Sequence, residues 1–236
     1  MGELPYVYGI FRCEIKNRFR CLVNIAGEDT ICYIQSSCKL GSFIDLKNKK
    51  VLLLPIKSKD SNIKYSVFAV KYGRSYVLLN LSMANRIIEK ELRCKHFSFL
   101  GGRNVVSHES VIAGYKSDLY IRESNTVMEI KTILSTNSYA EFPTVHSERS
   151  IKQLLNIERL LENGYNVCYV FVALSPYVKT ITLNSEKEFL ATFNRCVKKG
   201  MSYCAVSVHM RKMEFKLYSN VDIVRLNESL PYTLLT

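Results

Sequence analysis

Residues 6–80 alternate between short apolar runs and polar breaks. β-forming aliphatic and aromatic residues recur over 6–15, 19–25, 30–34, 51–56, 65–72 and 75–79, and turn-forming pairs stand at Lys16-Asn17, Gly27-Glu28, Lys47-Asn48 and Tyr72-Gly73. Five or six short strands in about eighty residues predict a small β-barrel, OB-like in size. The segment 35–45 reads as a loop on one face. Its Ser36, Ser37, Lys39 and Gly41 either meet a phosphate or form a surface loop with no role.

The texture changes at Leu81-Ser82. Ser82 is placed to cap a helix, and Ile88 and Leu92 recur at helical spacing within 84–92. Gly101-Gly102 marks a loop over 98–104, and 105–112 reads as a strand. Residues 134–146 are polar and loop-like, with Pro143 as punctuation. Over 147–163, Ile151, Leu154, Leu155, Ile157, Leu160 and Leu161 define one face of an amphipathic helix that Gly164 ends. The nearly continuous apolar run 166–174 predicts a central strand buried on both faces. A further helix over 186–199 closes at Gly200, and strands follow at 203–210 and 213–218. The order predicts two domains: an OB-like barrel over 1–81 and an α/β domain with a mixed central sheet over 82–236.

Between 105–112 and 134–146 lies the stretch that carries chemistry. Two apolar runs, 119–121 and 127–130, flank the polar tetrad Arg122-Glu123-Ser124-Asn125, which predicts a hairpin. Asp118 opens its first strand. Glu129 and Lys131 lie two apart on its second and so share a face. An otherwise apolar strand has no structural need for such a pair. Burying it costs several kcal/mol unless the groups pair or bind a metal. Two carboxylates suit Mg²⁺ or Mn²⁺, which prefer oxygen ligands, and a neighbouring Lys suits phosphodiester hydrolysis by orienting water or offsetting developing charge. The spacing resembles the PD-(D/E)XK nuclease signature. The plainer reading is a solvated hairpin with a Glu–Lys ion pair.

Composition narrows the setting. Hydrophobic residues make up 47% of the 236, enough for a packed core. Lys and Arg total 33 against 21 Asp and Glu, a net charge of +12 that attracts polyanions, nucleic acid first and an anionic membrane surface second. The charge is spread, with small clusters at 47–50, 57–64 and 198–199. No apolar run has the length of a membrane span, and the first residues lack the features of a signal peptide, which predicts a cytoplasmic protein. None of the eight Cys forms a Cys-x-x-Cys pair; Cys13, Cys21, Cys168 and Cys204 read as small buried hydrophobes in reduced form.

Several ordered motifs extend the likeness. Asn85-Arg86-Ile87-Ile88-Glu89, Asp118, Met128-Glu129-Ile130-Lys131, Phe142-Pro143, Ser147-Glu148-Arg149, Lys152-Gln153-Leu154, Glu162-Asn163-Gly164-Tyr165 and Val170-Phe171-Val172 follow one another at matching separations. Together they resemble the sugar fermentation stimulation protein A (SfsA) family, whose members have an N-terminal OB-fold and a C-terminal PD-(D/E)XK nuclease-like domain. The resemblance implies a metal-dependent nuclease acting on DNA or RNA. The alternative is a non-catalytic, regulatory DNA-binding protein on a nuclease scaffold. The candidate catalytic residues are Asp118, Glu129, Lys131, Glu89, Gln153 and Arg149. The candidate metal ligands are Asp118, Glu129 and Ile130, with Mg²⁺ or Mn²⁺ as cofactor. Glu89 either reaches the metal through water or is a solvated helix residue. Arg149 and Gln153, four apart on a helix face, clamp phosphate or orient the nucleophile, unless Arg149 simply pairs with Glu148. His146 reads as a surface histidine. Tyr139 and Phe142 either stack on an unpaired base or pack their loop down. The expected partners are nucleic acid and no membrane, with a homodimer as one admissible state. Three positions depart from the family pattern. Ser37-Cys38-Lys39-Leu40 stands where Asn-Thr-Gly-Ser-Met is usual, Thr144 replaces an Asp, and Lys116-Ser117 replaces an Arg before Asp118.

Overall fold

The computed structural model describes residues 6–15, 19–34, 40–56, 63–144, 147–183 and 187–225. The described residues up to Asn80 form six strands: β1 (Val7–Glu14), β2 (Arg20–Ile25), β3 (Glu28–Ile34), β4 (Lys50–Pro55), β5 (Tyr65–Tyr72) and β6 (Ser75–Leu78). They pair in the order β3-β2-β1-β4-β5-β6, and β3 also pairs in parallel with β5 through Tyr33 and Ile34. That second pairing closes five strands into a barrel and removes their free edges. Period-2 alternation sends Val23, Val51, Leu53 and Val77 inward, and a register shift between β4 and β5 lets both Val67 and Val70 face the same core. Gly9 is required on β1, because a Cβ there would lie 2.5 Å from Val23 Cγ1.

The loop expected at 35–45 is described only from Leu40 onward, so Ser36, Ser37 and Lys39, and most of the altered loop motif, lie outside the described residues. Leu40–Ser42 is a 3₁₀ turn, and Leu40 and Ile44 are buried in the barrel core. The backbone N–H groups of Leu40 and Gly41 donate to the Glu14 carboxylate at 2.8 and 3.4 Å. At Gly41, therefore, a protein carboxylate stands where a phosphate was one of the expected partners. Cys13 is exposed rather than buried, just past a register shift in β1; Cys204 is half-buried, and Cys21 and Cys168 are buried.

The rest of the chain opens with α1 (Met83–Glu91) and continues through β7 (Val106–His108), β8 (Val111–Ile112), β9 (Tyr115–Lys116), β10 (Leu119–Ile121), β11 (Thr126–Ile133), β12 (Tyr139–Phe142), α2 (Glu148–Glu162), β13 (Asn166–Ala173), β14 (Thr180–Leu183), α3 (Lys187–Lys198), β15 (Ser202–Arg211), β16 (Glu214–Asn220) and β17 (Asp222–Arg225). The main sheet runs β16-β15-β13-β11-β10-β7, with β11, β13 and β15 parallel and the outer pairings antiparallel. The apolar run of β13 is buried on both faces, as a central strand requires. Helices α2 and α3 cover one face through Ile151, Leu154, Ile157, Phe189 and Phe193. Helix α1 and the barrel cover the other. Ser147 caps α2, its side chain accepting from the Ser150 N–H at 3.2 Å. Ser82 makes no side-chain cap to α1. Among the described residues no helix is long and apolar enough to cross a membrane.

Two segments differ from expectation. The strand expected over 105–112 is broken into β7 and β8 at Glu109, which has φ 44°. The loop expected over 134–146 contains β12, which joins β14 and β17 in a separate three-stranded parallel sheet.

The barrel and the main sheet share one packed layer. Leu52, Phe68 and Leu78 lie in the same apolar cluster as Val206, Val208 and Phe215. Phe68 meets Phe215 edge-on at 5.7 Å between ring centres. Polar bonds fix the junction: Leu78 N–H donates to Leu174 O (2.8 Å), Tyr6 OH to Met213 O (2.9 Å), and Ser75 Oγ lies 3.0 Å from His209 Nδ1.

Candidate active site

The expected hairpin is present. β10 and β11 pair antiparallel from Leu119–Met128 to Ile121–Thr126, and the tetrad turns between them with Asn125 at φ 49°. β11 outruns β10, so from Glu129 onward its edge has no β10 partner. Asp118, the residue before β10, fills the gap: its Oδ2 accepts from the Ile130 N–H at 2.7 Å, and its Oδ1 from Asn85 Nδ2 on α1 at 3.1 Å.

Alternation then separates the side chains. Met128 and Ile130 face α1 and the barrel, whereas Val127, Glu129 and Ile133 face α2. Glu129 is 3% exposed. Its Oε1 receives Lys131 Nζ at 2.6 Å and Gln153 Nε2 at 3.0 Å, and its Oε2 receives the Tyr115 hydroxyl. Lys131 Nζ also donates to Gln153 Oε1 at 2.6 Å, closing a three-membered ring of charge-assisted bonds. Burial raises the Glu129 pKa and the Asp118 charge adds to the rise; the Lys131 charge and the bonds from Lys131 and Tyr115 oppose it. Tyr115 is pushed up by burial first and by the Glu129 charge second.

Of the residues expected to act together, the structure brings Glu129, Lys131 and Gln153 into one hydrogen-bonded network. Asp118 stands outside it, bonded to the Ile130 N–H and Asn85, with its charge acting on Glu129. Arg149 stands exposed on the first turn of α2, near enough for its charge to ease the rise at Tyr115. Glu89 pairs with His108 Nε2 at 2.6 Å, one helical turn beyond Asn85. Glu148 is exposed and 3.7 Å from Lys152 rather than paired with Arg149. Phe142 packs edge-on against Phe171 and Phe189, at 5.2 and 5.5 Å, and so holds its segment down; Tyr139 is 71% exposed. His146 lies outside the described residues.

Three residues of this neighbourhood were not singled out as site residues from sequence: Asn85, Tyr115 and Tyr169. Tyr169 pairs in register with Glu129 across β11 and β13. Its hydroxyl is the one buried side-chain polar atom without a partner among the described residues. Burial, then the Glu129 charge, holds its pKa far above the ordinary value. The available signal was a lone hydroxyl in an aliphatic run. Tyr115, on a two-residue strand, gave none.

A divalent cation can be tested against this donor set. Among the described residues no three His, Cys, Asp or Glu side chains converge. The side-chain donors are therefore Asp118 and Glu129. Ile130 has only its backbone to offer, and a strand residue's C=O points to the same edge as its N–H, here the edge Asp118 occupies. Two carboxylates and a carbonyl form an all-oxygen set. It fits Mg²⁺ or Mn²⁺, since Mg²⁺ keeps several waters and binds through one or two carboxylates.

The family model described as "Sugar fermentation stimulation protein RE domain" matches residues 82–214, more than half of the chain. The chain belongs to the SfsA family. A sugar fermentation stimulation protein homolog of Clostridium beijerinckii is 21% identical over 213 residues, covering 88% of this chain and 93% of that protein. One of Caldanaerobacter subterraneus subsp. tengcongensis is 22% identical over 225 residues, covering 93% and 97%. The solved structure of Pyrococcus furiosus SfsA in complex with Ca²⁺ is similar over 94% of this chain and 99% of its own, with TM-score 0.74 and 18% identity. The SfsA architecture of barrel plus mixed sheet is thus common to both.

Proposed function

We propose that this SfsA-family chain is a Mg²⁺- or Mn²⁺-dependent nuclease that hydrolyses phosphodiester bonds of DNA or RNA and binds nucleic acid without sequence preference. The observation that carries the proposal is the buried Glu129–Lys131–Gln153 ring beside Asp118 at an unpaired strand edge. A structural ion pair needs no second carboxylate there and no Gln shared by both charges. Asp118, Glu129 and the Ile130 carbonyl would hold the cation. The Pyrococcus furiosus relative, solved with Ca²⁺, supports a hard divalent ion in this fold. Such an ion supplies Lewis acidity at phosphoryl oxygen and lowers the pKa of a bound water. Lys131 Nζ, bonded to Glu129 and Gln153, would offset charge that develops on the phosphoryl oxygens. Gln153 fixes that ammonium and, through its amide, orients a water. Arg149, exposed at the start of α2, is free to reach a phosphate outside the ring.

The second reading, a nucleic-acid-binding protein without catalysis, has one observation in its favour: both Glu129 oxygens already accept protein donors. The test is incubation of the pure protein with labelled single- and double-stranded DNA and RNA in Mg²⁺, Mn²⁺ or EDTA. Cleavage with either ion and none with EDTA is expected. Binding without cleavage of any substrate would favour the second reading.

A further inference from the structure

The barrel carries a basic and aromatic face that the candidate site does not use. Apart from a register shift where Phe68 and Ala69 both face outward, residues of β1, β4, β5 and β6 alternate between barrel core and outside, and the outward row next to the junction is Leu52, Ala69 and Leu78, all buried under the main sheet. One step along the strands, the outward row is Ile10, Lys50, Lys71 and Tyr76: Ile10 pairs with Lys50, Lys71 with Tyr76, and Lys50 and Lys71 each lie one residue beyond the Val51–Val70 pair. Tyr8 adjoins them, 47% exposed. Lys50 Nζ lies 4.2 Å from the centre of the Tyr8 ring, and Lys71 Nζ 4.9 Å from that of Tyr76. Among the described residues neither Lys50 nor Lys71 meets a carboxylate. Glu214, whose charge reaches Tyr6 at the border of this face, is already paired with Lys90 and with Lys216 at 3.5 Å.

We propose that this outer face, Tyr8, Lys50, Lys71 and Tyr76, is a docking surface for an unpaired nucleic-acid strand. The inference rests on nucleic acid being the partner proposed above, but not on cleavage. The face complements such a strand in both charge and shape. Two uncompensated ammonium groups on neighbouring strands can neutralise phosphates along a backbone. The half-exposed Tyr8 ring offers a surface for a base, and only a base outside a duplex can reach a ring lying on a sheet. Lysines held over tyrosines keep their charge at the height of the rings, so one strand can meet both. A site built only to attract charge would not need the rings.

The test is binding in EDTA, where cleavage does not contribute, with a labelled oligothymidylate and a labelled duplex as probes. Tyr8→Ala is expected to weaken the oligothymidylate roughly 5- to 150-fold, the loss of one base stack. Binding of the duplex stays within about two-fold, because a paired base cannot make that stack. Tyr8→Phe, which keeps the ring, retains wild-type affinity. Lys50→Ala with Lys71→Ala is expected to reduce the slope of log affinity against log salt by about 1.4 on the single strand. None of these residues belongs to the Glu129 network, and far-ultraviolet circular dichroism checks that each variant is folded. Unchanged affinity and slope in all variants would overturn the proposal, as would an equal loss on both probes after Tyr8→Ala. A wild type that binds neither probe sinks this surface and the nuclease reading together. A wild type that binds through this face but cleaves nothing leaves the surface standing and removes the nuclease.

Discussion

On the barrel, Lys50 and Lys71 stand on an outer face where, among the described residues, no carboxylate pairs with them. In the main sheet, Lys131 is 16% exposed and bonded to Glu129, itself 4% exposed by side chain. The first arrangement costs the fold little, because water solvates the charge and nothing is buried with it. The second is sustained only by mutual neutralisation, since desolvating either partner alone costs several kcal/mol. The comparison teaches where chemistry and attraction separate. Exposed charge is accessible to any polyanion, whereas buried charge is fixed at one spot by the groups that neutralise it.

The largest expected effect follows from removing one half of the buried pair. Lys131→Met leaves Glu129 without its cation and is expected to lower the unfolding free energy by about 3–5 kcal/mol in urea titration. Adding Glu129→Gln to the same variant should recover most of that loss, while Lys50→Ala on the barrel stays within about 0.5 kcal/mol of wild type. Equal costs for the buried and the exposed lysine would break the contrast.

Next in size is the chemical step. At a temperature where Lys131→Met is fully folded, single-turnover cleavage at saturating Mn²⁺ should fall about 10²–10³-fold, ~2.7–4 kcal/mol of barrier, as for one preorganised donor. Near-wild-type cleavage would leave Lys131 a purely structural partner of Glu129.

Two tyrosines sharpen the picture with opposite signs. Tyr115→Phe removes a donor to a buried carboxylate and should cost about 1–3 kcal/mol. Tyr169→Phe removes a buried hydroxyl that has no partner, so urea titration should find it neutral or stabilising by up to about 1 kcal/mol. A clear loss of stability in Tyr169→Phe would mean that its hydroxyl has a bonded partner, such as an ordered water.

The smallest effect sits at the junction of the two regions. Burial, and then the Arg211 charge, lowers the His209 pKa below its ordinary 6.5. The unfolded chain therefore takes the proton first. The contribution of His209 is fully present above the ordinary value and is lost as pH falls through it toward the folded value. Melting temperature measured from pH 7 downward should decline less in His209→Gln than in wild type. Parallel profiles would remove His209 from the acid response.

Much of this was legible because it is local. The run at β13 is apolar without a break, the helix at α2 repeats its apolar residues at one period, and Glu129 and Lys131 share a face by strand periodicity alone. Gln153 was legible through its place on that helix and the family motif around it. β12, β14 and β17 were not, since four residues carry almost no periodic signal and their parallel partners lie forty or so residues apart. Within the site the same rule holds. Tyr115 reaches Glu129 only because the short β8–β9 hairpin turns it back, and Glu89 meets His108 of β7 rather than the carboxylates. Side chains that meet through tertiary placement leave no spacing to read.

The layer shared by barrel and sheet has a consequence during synthesis. Leu52, Phe68 and Leu78 leave the ribosome early, yet Val206, Val208 and Phe215, which cover them, are made more than a hundred residues later. At translation rates of about 5–20 residues per second, the barrel's apolar flank waits roughly 7–27 seconds for its cover. Through that interval the nascent chain presents an adhesive strip to the cell. A chaperone that shields it should raise the yield of intact protein more than one that acts on the finished chain.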